Sequence, residues 1–141
     1  HLWFDRFVME EEFTALVDST VQWIFSVTHL QKKESTTQHL SCVISAADEI
    51  IHLSKQQILE IVLKDLSNIF PLVKDAELME SIVIKEKRAT FLPEPGIDAQ
   101  RPGAQTELTN LFLAGDWTKT HYPATIESAI LSGKIAASLC R

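Results

Sequence analysis

The distribution of glycine is the feature that most restricts what this chain can fold into. The sequence has four glycines in 141 residues, all in its last third: Gly96, Gly103, Gly115 and Gly133. At the average usage of ~7%, a chain of this length would hold about ten. Loops of the GxGxxG or GxxxxGK type, which cradle a nucleotide phosphate, need closely spaced glycines. No such motif occurs, so a complete dinucleotide-binding fold is excluded from this chain.

Composition, charge and cysteine positions restrict the class of protein further. Hydrophobic residues make up 45% and charged residues 23%, as in a soluble globular domain. The net charge of −6 argues against nucleic acid as a partner, since phosphate binding needs a basic surface. Cys42 and Cys140 lie far apart in no metal-binding spacing, which predicts free buried thiols, a reducing compartment and no metal site. The chain opens with an apolar His1-Leu2-Trp3-Phe4 rather than Met, and we expect a fragment.

Residues 1–92 predict antiparallel strands and one helix. Ser54 and Gln57 form a capping-box pattern, apolar residues then recur at helical spacing, and Pro71 ends the helix predicted over 55–70. A polar loop is predicted over Met9–Thr14. Runs of β-branched and aromatic residues predict strands, the second and third forming a hairpin: Leu2–Val8, Val21–Val27, His39–Ser45 and Leu78–Phe91.

Residues 93–141 predict a strand, a turn and a helix. Asn110–Ala114 is typical of a short buried strand, and Gly115-Asp116 follows it as a turn. Pro123 suits the first turn of a helix over Ala124–Leu139. The interior of that helix is lined with small residues, which allow close approach to another surface.

The predicted turn and helix start suggest a binding site. A helix N-terminus has unpaired amides and a partial positive charge. The amides near Thr125 and Ile126 could therefore stabilise an electron-rich ring edge, and Asp116 could accept hydrogen bonds from ribityl or ribose hydroxyls. A reduced flavin has both features, although a plain capped crossover would give the same pattern.

Segments along nearly the whole chain resemble one family, and they occur in the order that the family shows. Asn110–Thr118, Tyr122–Glu127 and Leu131–Lys134 resemble the C-terminal flavin motif of the FAD-dependent amine oxidase and phytoene desaturase superfamily. Other segments resemble its squalene-associated desaturase, or hydroxysqualene dehydroxylase, branch: Leu2–Arg6, Gln22–Phe25, Val43–Asp48, Lys87–Phe91 and Arg101–Gly103. Thr118, Lys119 and Tyr122 are also similar to plant-type phytoene desaturases.

The resemblance implies an α+β fragment of a two-domain FAD-binding oxidoreductase. Residues 1–92 would belong to the substrate-binding domain, and residues 93–141 would form the C-terminal part of the FAD-binding domain. The turn would lie along the pyrophosphate and ribityl chain, three backbone amides would face the pyrimidine edge of the flavin, and two side chains would line its wall. These cofactor-binding residues are Gly115 and Asp116 of the turn, the amides of Ala124, Thr125 and Ile126, and Trp117 and Pro123 of the wall.

The sequence departs from the family pattern at two positions. Ser128 stands where glycine is usual, which places a side chain where close backbone approach is expected, and His121 also replaces a common glycine. No catalytic acid or base can be assigned. Arg88 and Arg101 are candidates for steadying an anion, with surface ion pairing as the simpler role. Because GxGxxG is absent, we expect the fragment alone to be inactive and not to bind FAD tightly.

The resemblance implies removal of the hydroxyl from hydroxysqualene, with reduced flavin supplying hydride. One alternative is a phytoene or carotenoid desaturase, in which hydride passes to oxidised flavin. Another is a non-catalytic module that self-associates or binds lipid through exposed apolar surface. An amine-oxidising enzyme is the weakest alternative, because Asp116-Trp117 resembles the desaturases. We expect a cytoplasmic protein. Long isoprenoid substrates favour peripheral contact with the inner membrane, although no basic amphipathic helix supports such contact.

Overall fold

The computed structural model describes residues 1–32 and 34–140, which form two compact units. Unit 1 is His1–Lys85 and unit 2 is Glu86–Arg141. The boundary predicted after residue 92 lies a few residues beyond this division. Strands and helices are both present, so the predicted α+β class is confirmed.

Unit 1 is built on a five-stranded antiparallel sheet. Its strands are β1 (Leu2–Phe4), β2 (Phe13–Ala15), β3 (Trp23–Ser26), β4 (Gln38–Val43) and β5 (Leu78–Ser81). Their spatial order is β2-β3-β4-β1-β5, with Leu2 opposite Leu40 and Trp23 opposite Val43. The predicted hairpin is confirmed as β3 and β4. Its connection includes a one-turn helix that the sequence did not predict, α1 (Val27–Leu30).

Several strand boundaries differ from the prediction. The strand predicted over Leu2–Val8 ends at Phe4. Residues 13 and 14, predicted as loop, belong to β2, because Phe13 pairs with Phe25 across the ladder. The strand predicted over Leu78–Phe91 ends at Ser81. Its partner β1 has only three residues, and the last bond of the ladder is donated by the Ile82 amide to the His1 carbonyl. Beyond that bond the alternating pattern has no strand to pair with.

The predicted long helix is confirmed as α2 (Lys55–Ile69). The Ser54 Oγ accepts from the Gln57 amide at 3.2 Å and the Gln57 side chain accepts from the Ser54 amide at 2.9 Å, which completes the capping box. The helix ends before Pro71, which opens a short 3₁₀ turn (Pro71–Lys74). Buried apolar residues of the sheet, of α2, of the 3₁₀ turn and of the connecting segments form one core: Leu2, Phe4, Val8, Met9, Val21, Ile24, Leu40, Ile58, Val62, Leu66 and Val73.

A carboxylate joins α2 to the segment that leads into β3. The Asp65 Oδ2 accepts hydrogen bonds from the Ser19 hydroxyl at 2.8 Å, the Thr20 amide at 2.8 Å and the Val21 amide at 3.1 Å. Hydrogen bonds to a charged acceptor are stronger than neutral ones. Asp65 therefore fixes where the chain enters the sheet.

Unit 2 contains a 3₁₀ turn (Ile97–Ala99) and the helix α3 (Ile126–Leu139). Ser128, Ser132 and Ala136, spaced four residues apart, are the buried positions of α3. Large apolar side chains elsewhere on the helix are exposed: Ile126, Ile130, Ile135 and Leu139. Within residues 1–32 and 34–140, no helix combines the length and apolarity needed to cross a membrane.

Candidate functional site

The segment before the turn is not the buried strand that the sequence predicted. Residues 110–114 make one bridge, between Phe112 and Gln105, and the Leu113 amide donates to the Ala104 carbonyl at 2.8 Å. Leu111 is exposed. A strand persists only where neighbouring strands take up its backbone groups, and in the described part of unit 2 this bridge is the only such pairing.

The turn itself requires a glycine. Gly115 has a φ of +151°, and a Cβ placed on it would lie 2.3 Å from the Trp117 Nε1. The Gly115 carbonyl accepts from the Thr118 amide at 3.1 Å and from the Thr118 hydroxyl at 2.8 Å. Its amide donates to the Ser132 Oγ of α3 at 2.8 Å. The space that glycine leaves is thus filled by the indole of Trp117, and the turn is fastened to α3.

Helix α3 begins two residues later than predicted. Thr125 is its N-cap, and the Thr125 Oγ1 accepts from the Ser128 amide at 3.2 Å. Pro123 lies ahead of the cap instead of in the first helical turn. The cap residue has extended backbone, with φ −141° and ψ 168°. Threonine at this position satisfies one of the unpaired amides of the helix N-terminus, and this interaction sets where the helix starts.

The three amides expected to face a ligand are open. Among the described residues, the amides of Ala124, Thr125 and Ile126 donate to no protein acceptor. The Ile126 side chain is 82% exposed, so the first turn of α3 borders solvent. Donors at a helix start favour a ligand with negative charge. Their role in cofactor binding stays a prediction.

Asp116 lies beside this helix start. Its carbonyl accepts from the Ser128 Oγ of the first turn of α3 at 3.4 Å. The expected adjacency of Asp116 and the helix start is therefore confirmed. No hydrogen bond to its carboxylate occurs within residues 1–32 and 34–140. A carboxylate free of protein donors is available to accept hydrogen bonds from ligand hydroxyls.

Arg101 organises the site, which the sequence did not predict. The side chain was expected to pair at the surface, but the residue is only 7% exposed. Its Nη2 donates to the Asp116 carbonyl at 2.8 Å, and its Nη1 donates to the Tyr122 carbonyl at 2.8 Å and to the Asp98 carboxylate at 3.0 Å. Arg88, the other candidate, is exposed.

One polar atom of Arg101 has no partner. Its Nε is buried and, among the described residues, donates to no acceptor. The guanidinium lies 5.6 Å from the centre of the Phe91 ring, close enough for a cation–π contact. A buried donor without an acceptor costs about 1–3 kcal/mol. Such an atom in a native fold needs an explanation.

Ser128 is accommodated, although the family pattern has glycine there. The residue is fully buried. Its Oγ lies 2.6 Å from the Thr120 Oγ1 and 3.3 Å from the Arg101 Nη2. The hydroxyl thus adds polar contacts at the turn instead of preventing close packing. His121 is exposed, as expected for a loop histidine.

Unit 1 has a second surface suited to a ligand. Trp23 and Phe25 alternate along β3 with two buried residues, so they lie on the sheet face opposite the core. With Phe13 and Val43 they line an open groove of about 360 Å³. The Trp23 and Phe25 rings stack with centroids 6.1 Å apart. The groove offers an apolar aromatic lining to an extended hydrocarbon.

The two cysteines differ in burial. Both cysteines are free. Burial raises the pKa of the Cys42 thiol to about 11, whereas Cys140 is exposed, so its predicted burial is wrong. In the portion of the chain that the structure describes, no three His, Cys, Asp or Glu side chains are grouped to hold a metal ion.

Comparison with known proteins gives a consistent result. The family described as flavin containing amine oxidoreductase matches residues 1–141. The chain is similar to hydroxysqualene dehydroxylases of Sinorhizobium fredii, 34% identical over 99% of this chain, and of Zymomonas mobilis, 38% identical over 88%. A 15-cis-phytoene desaturase of an Oncidium hybrid is 34% identical over 97% of this chain. The aligned segments cover 31%, 27% and 25% of these three relatives, respectively.

Proposed function

The chain belongs to the flavin containing amine oxidoreductase family, and from this membership we propose that it serves in an FAD-dependent oxidoreductase acting on a long isoprenoid. The proposed reaction is the dehydroxylation of hydroxysqualene to squalene. The observation that carries it is the 34% identity with a hydroxysqualene dehydroxylase over 99% of this chain. Residues 1–92 would contribute to a substrate-binding domain and residues 93–141 to an FAD-binding domain.

The residues of unit 2 fit a flavin. Open amides at Ala124, Thr125 and Ile126 supply donors for an electron-rich ring edge. The Asp116 carboxylate is free to accept from hydroxyls of the ribityl chain, and the buried Arg101 Nε is a donor with no protein acceptor in the described residues. Trp117 and Pro123 would form the wall beside the ring.

In this proposal FAD supplies the redox chemistry and the protein binds and orients the cofactor. FAD, when bound, supplies a two-electron carrier that gives or takes hydride. In dehydroxylation, a carbon–oxygen bond is replaced by a carbon–hydrogen bond, and the oxygen leaves as water after taking up a proton. The helix start and Asp116 would hold and orient the cofactor. No residue of this chain is assigned as the proton donor.

The aromatic groove of unit 1 supports the substrate class. Its lining of Phe13, Trp23, Phe25 and Val43 matches the apolar surface of an isoprenoid chain. Burying apolar surface contributes about 25 cal/mol per Å², so a long hydrocarbon gains affinity from contact alone. We also propose that the protein is cytoplasmic. Because such substrates reside in lipid, it would contact the inner membrane peripherally. The exposed apolar residues of α3 support self-association of the isolated chain.

The reaction is tested with the full-length protein that carries this chain. Purified with FAD and reduced by dithionite, it is expected to convert hydroxysqualene to squalene, detected by gas chromatography and mass spectrometry. A matched incubation uses phytoene with a quinone acceptor. Desaturation of phytoene without conversion of hydroxysqualene would refute dehydroxylation and support the second candidate, a phytoene desaturase, which the Oncidium relative favours.

The cofactor site is tested separately. Asp116→Ala removes the proposed acceptor and is expected to weaken FAD binding about tenfold, the equivalent of one hydrogen bond to a charged group. The control Glu107→Gln removes an exposed carboxylate of the same unit and should leave the affinity unchanged. Fluorescence quenching on FAD titration gives both values. Equal affinities would refute the role of Asp116.

A further inference from the structure

We propose that Arg101 is a positioning residue for the cofactor end of the site, holding the Asp116 turn against the start of α3. This inference rests on the proposed function, because it concerns the same flavin site. The guanidinium joins four segments of unit 2 that lie 3 to 27 residues from Arg101 in sequence. It reaches them through the Asp98 carboxylate, the carbonyls of Asp116 and Tyr122, and the hydroxyls of Thr120 and Ser128.

The hydrogen bonds of Arg101 fix the spacing between the protein groups that are proposed to bind the cofactor. One nitrogen donates to the Asp116 carbonyl and the other to the Tyr122 carbonyl, both at 2.8 Å. Asp116 carries the proposed acceptor for hydroxyls, and Tyr122 lies two residues before Ala124, the first of the three residues with open amides. A planar guanidinium sets two acceptors at a fixed separation, which a flexible ammonium does not. Arg101 therefore sets the distance between the carboxylate and the amides without needing to touch the reacting atoms.

The position of Arg101 is unfavourable for helix stability. It contacts Ser128 in the first turn of α3, where the helix dipole is positive and a cation is destabilising. Asp98 is 80% exposed at its side chain and compensates this charge weakly. The orphaned Nε adds a further unfavourable term. The positive charge of Arg101 beside the open amides points to an anionic group of the cofactor, either its phosphates or the electron-rich edge of its ring.

The test uses three variants of the full-length, FAD-loaded protein. Arg101→Gln removes both the charge and the planar guanidinium, and Arg101→Lys keeps the charge but loses the guanidinium. Asp98→Asn is a control that removes the charge of the exposed ion-pair partner and keeps an acceptor oxygen. We expect Arg101→Gln to weaken FAD binding by about tenfold or more and Asp98→Asn by about twofold or less. Arg101→Lys should lie between them. The reduction potential of the bound flavin should become more negative in Arg101→Gln, since a negative reduced ring loses stabilisation.

A second measurement does not depend on FAD. Amide hydrogen exchange of the flavin-free protein should be faster over residues 116–126 in both Arg101 variants than in the wild type. If Arg101→Gln does not fold, the FAD affinity and the flavin reduction potential of Arg101→Lys test the proposal instead. Unchanged affinity, potential and exchange in Arg101→Lys would overturn the proposal. A wild-type protein that binds no FAD would instead refute the proposed function, with hydrogen exchange alone then deciding whether Arg101 holds the turn.

Discussion

Replacing Gly115 by alanine should loosen the turn that precedes α3. The backbone there has a φ of +151°, and an added Cβ would meet the Trp117 indole at 2.3 and 2.6 Å. An ordinary contact is 3.4 Å or more, so the indole must move by about 1 Å. Because Trp117 is 44% exposed, it can move outward, and it then no longer covers the turn.

The loss of stability expected for Gly115→Ala comes mainly from the backbone conformation of residue 115. Holding an L-residue in a sparsely populated φ region costs about 1–3 kcal/mol. At 1.4 kcal/mol per factor of ten, this cost alone shifts the equilibrium between the closed and the open turn by about fivefold to somewhat over a hundredfold. Glycine's unfolded-state entropy offsets about 0.5–1 kcal/mol of this. Subtracting the second range from the first leaves a net destabilisation of about 0–2.5 kcal/mol for Gly115→Ala, with a central value of about 1 kcal/mol.

Gly133→Ala is the matched control. Gly133 lies inside α3, and a Cβ there would meet nothing within 4 Å. Alanine in a helix interior is more stable than glycine by about 0.8–1 kcal/mol, so the two identical substitutions should change stability in opposite directions. Urea unfolding followed by far-UV circular dichroism, with amide exchange over residues 102–140 to isolate unit 2, measures both. A Gly115→Ala protein as stable as Gly133→Ala would refute the reasoning.

Three further predictions concern Asp65 of unit 1 and the two cysteines, Cys42 of unit 1 and Cys140 of unit 2. Asp65→Ala removes the acceptor of three hydrogen bonds from residues 19–21. It should lower the free energy of unfolding, measured by urea titration, by about 2–4 kcal/mol. Asp65→Asn keeps an acceptor oxygen and should lower that free energy by less. Cys140 should react with a thiol reagent at pH 8 far faster than Cys42, whose buried thiol has a pKa of about 11. Because this folded-state pKa is above the ordinary thiol value of 9.0, the free energy of unfolding should fall as pH rises from about 9 to 11. A decline no smaller in Cys42→Ala would contradict this cause.

The sequence predicted those elements whose signals are local. The capping pattern of Ser54 and Gln57 located the start of α2, and the alternating runs located β3 and β4. The family resemblance is also confirmed. Residues 110–114 were misassigned as a strand because apolar composition reports burial but not whether a pairing partner exists. The end of β5 was missed for the same reason, since the length of β1 sets it.

The candidate site was predictable only in part. The Gly115-Asp116 pair beside a helix start follows from adjacent residues, and the structure brings them together. Arg101 could not be assigned from periodicity, because its burial results from contacts with segments 3 to 27 residues away. Its presence in the Arg101-Pro102-Gly103 segment, where the family resemblance was seen, was the one available signal. A buried arginine depends on tertiary contacts that no local pattern records.

The position of β1 inside the sheet has a consequence for how unit 1 folds. This first strand lies between β4 and β5, and Leu2 is paired with Ser81. During synthesis the ladder cannot close until residue 81 has left the ribosome, so Leu2–Phe4 must wait with one edge unpaired. Closing so long a loop before the pairing is gained slows folding relative to folds with local contacts. The interval in which that apolar edge is open is when unit 1 is most susceptible to aggregation.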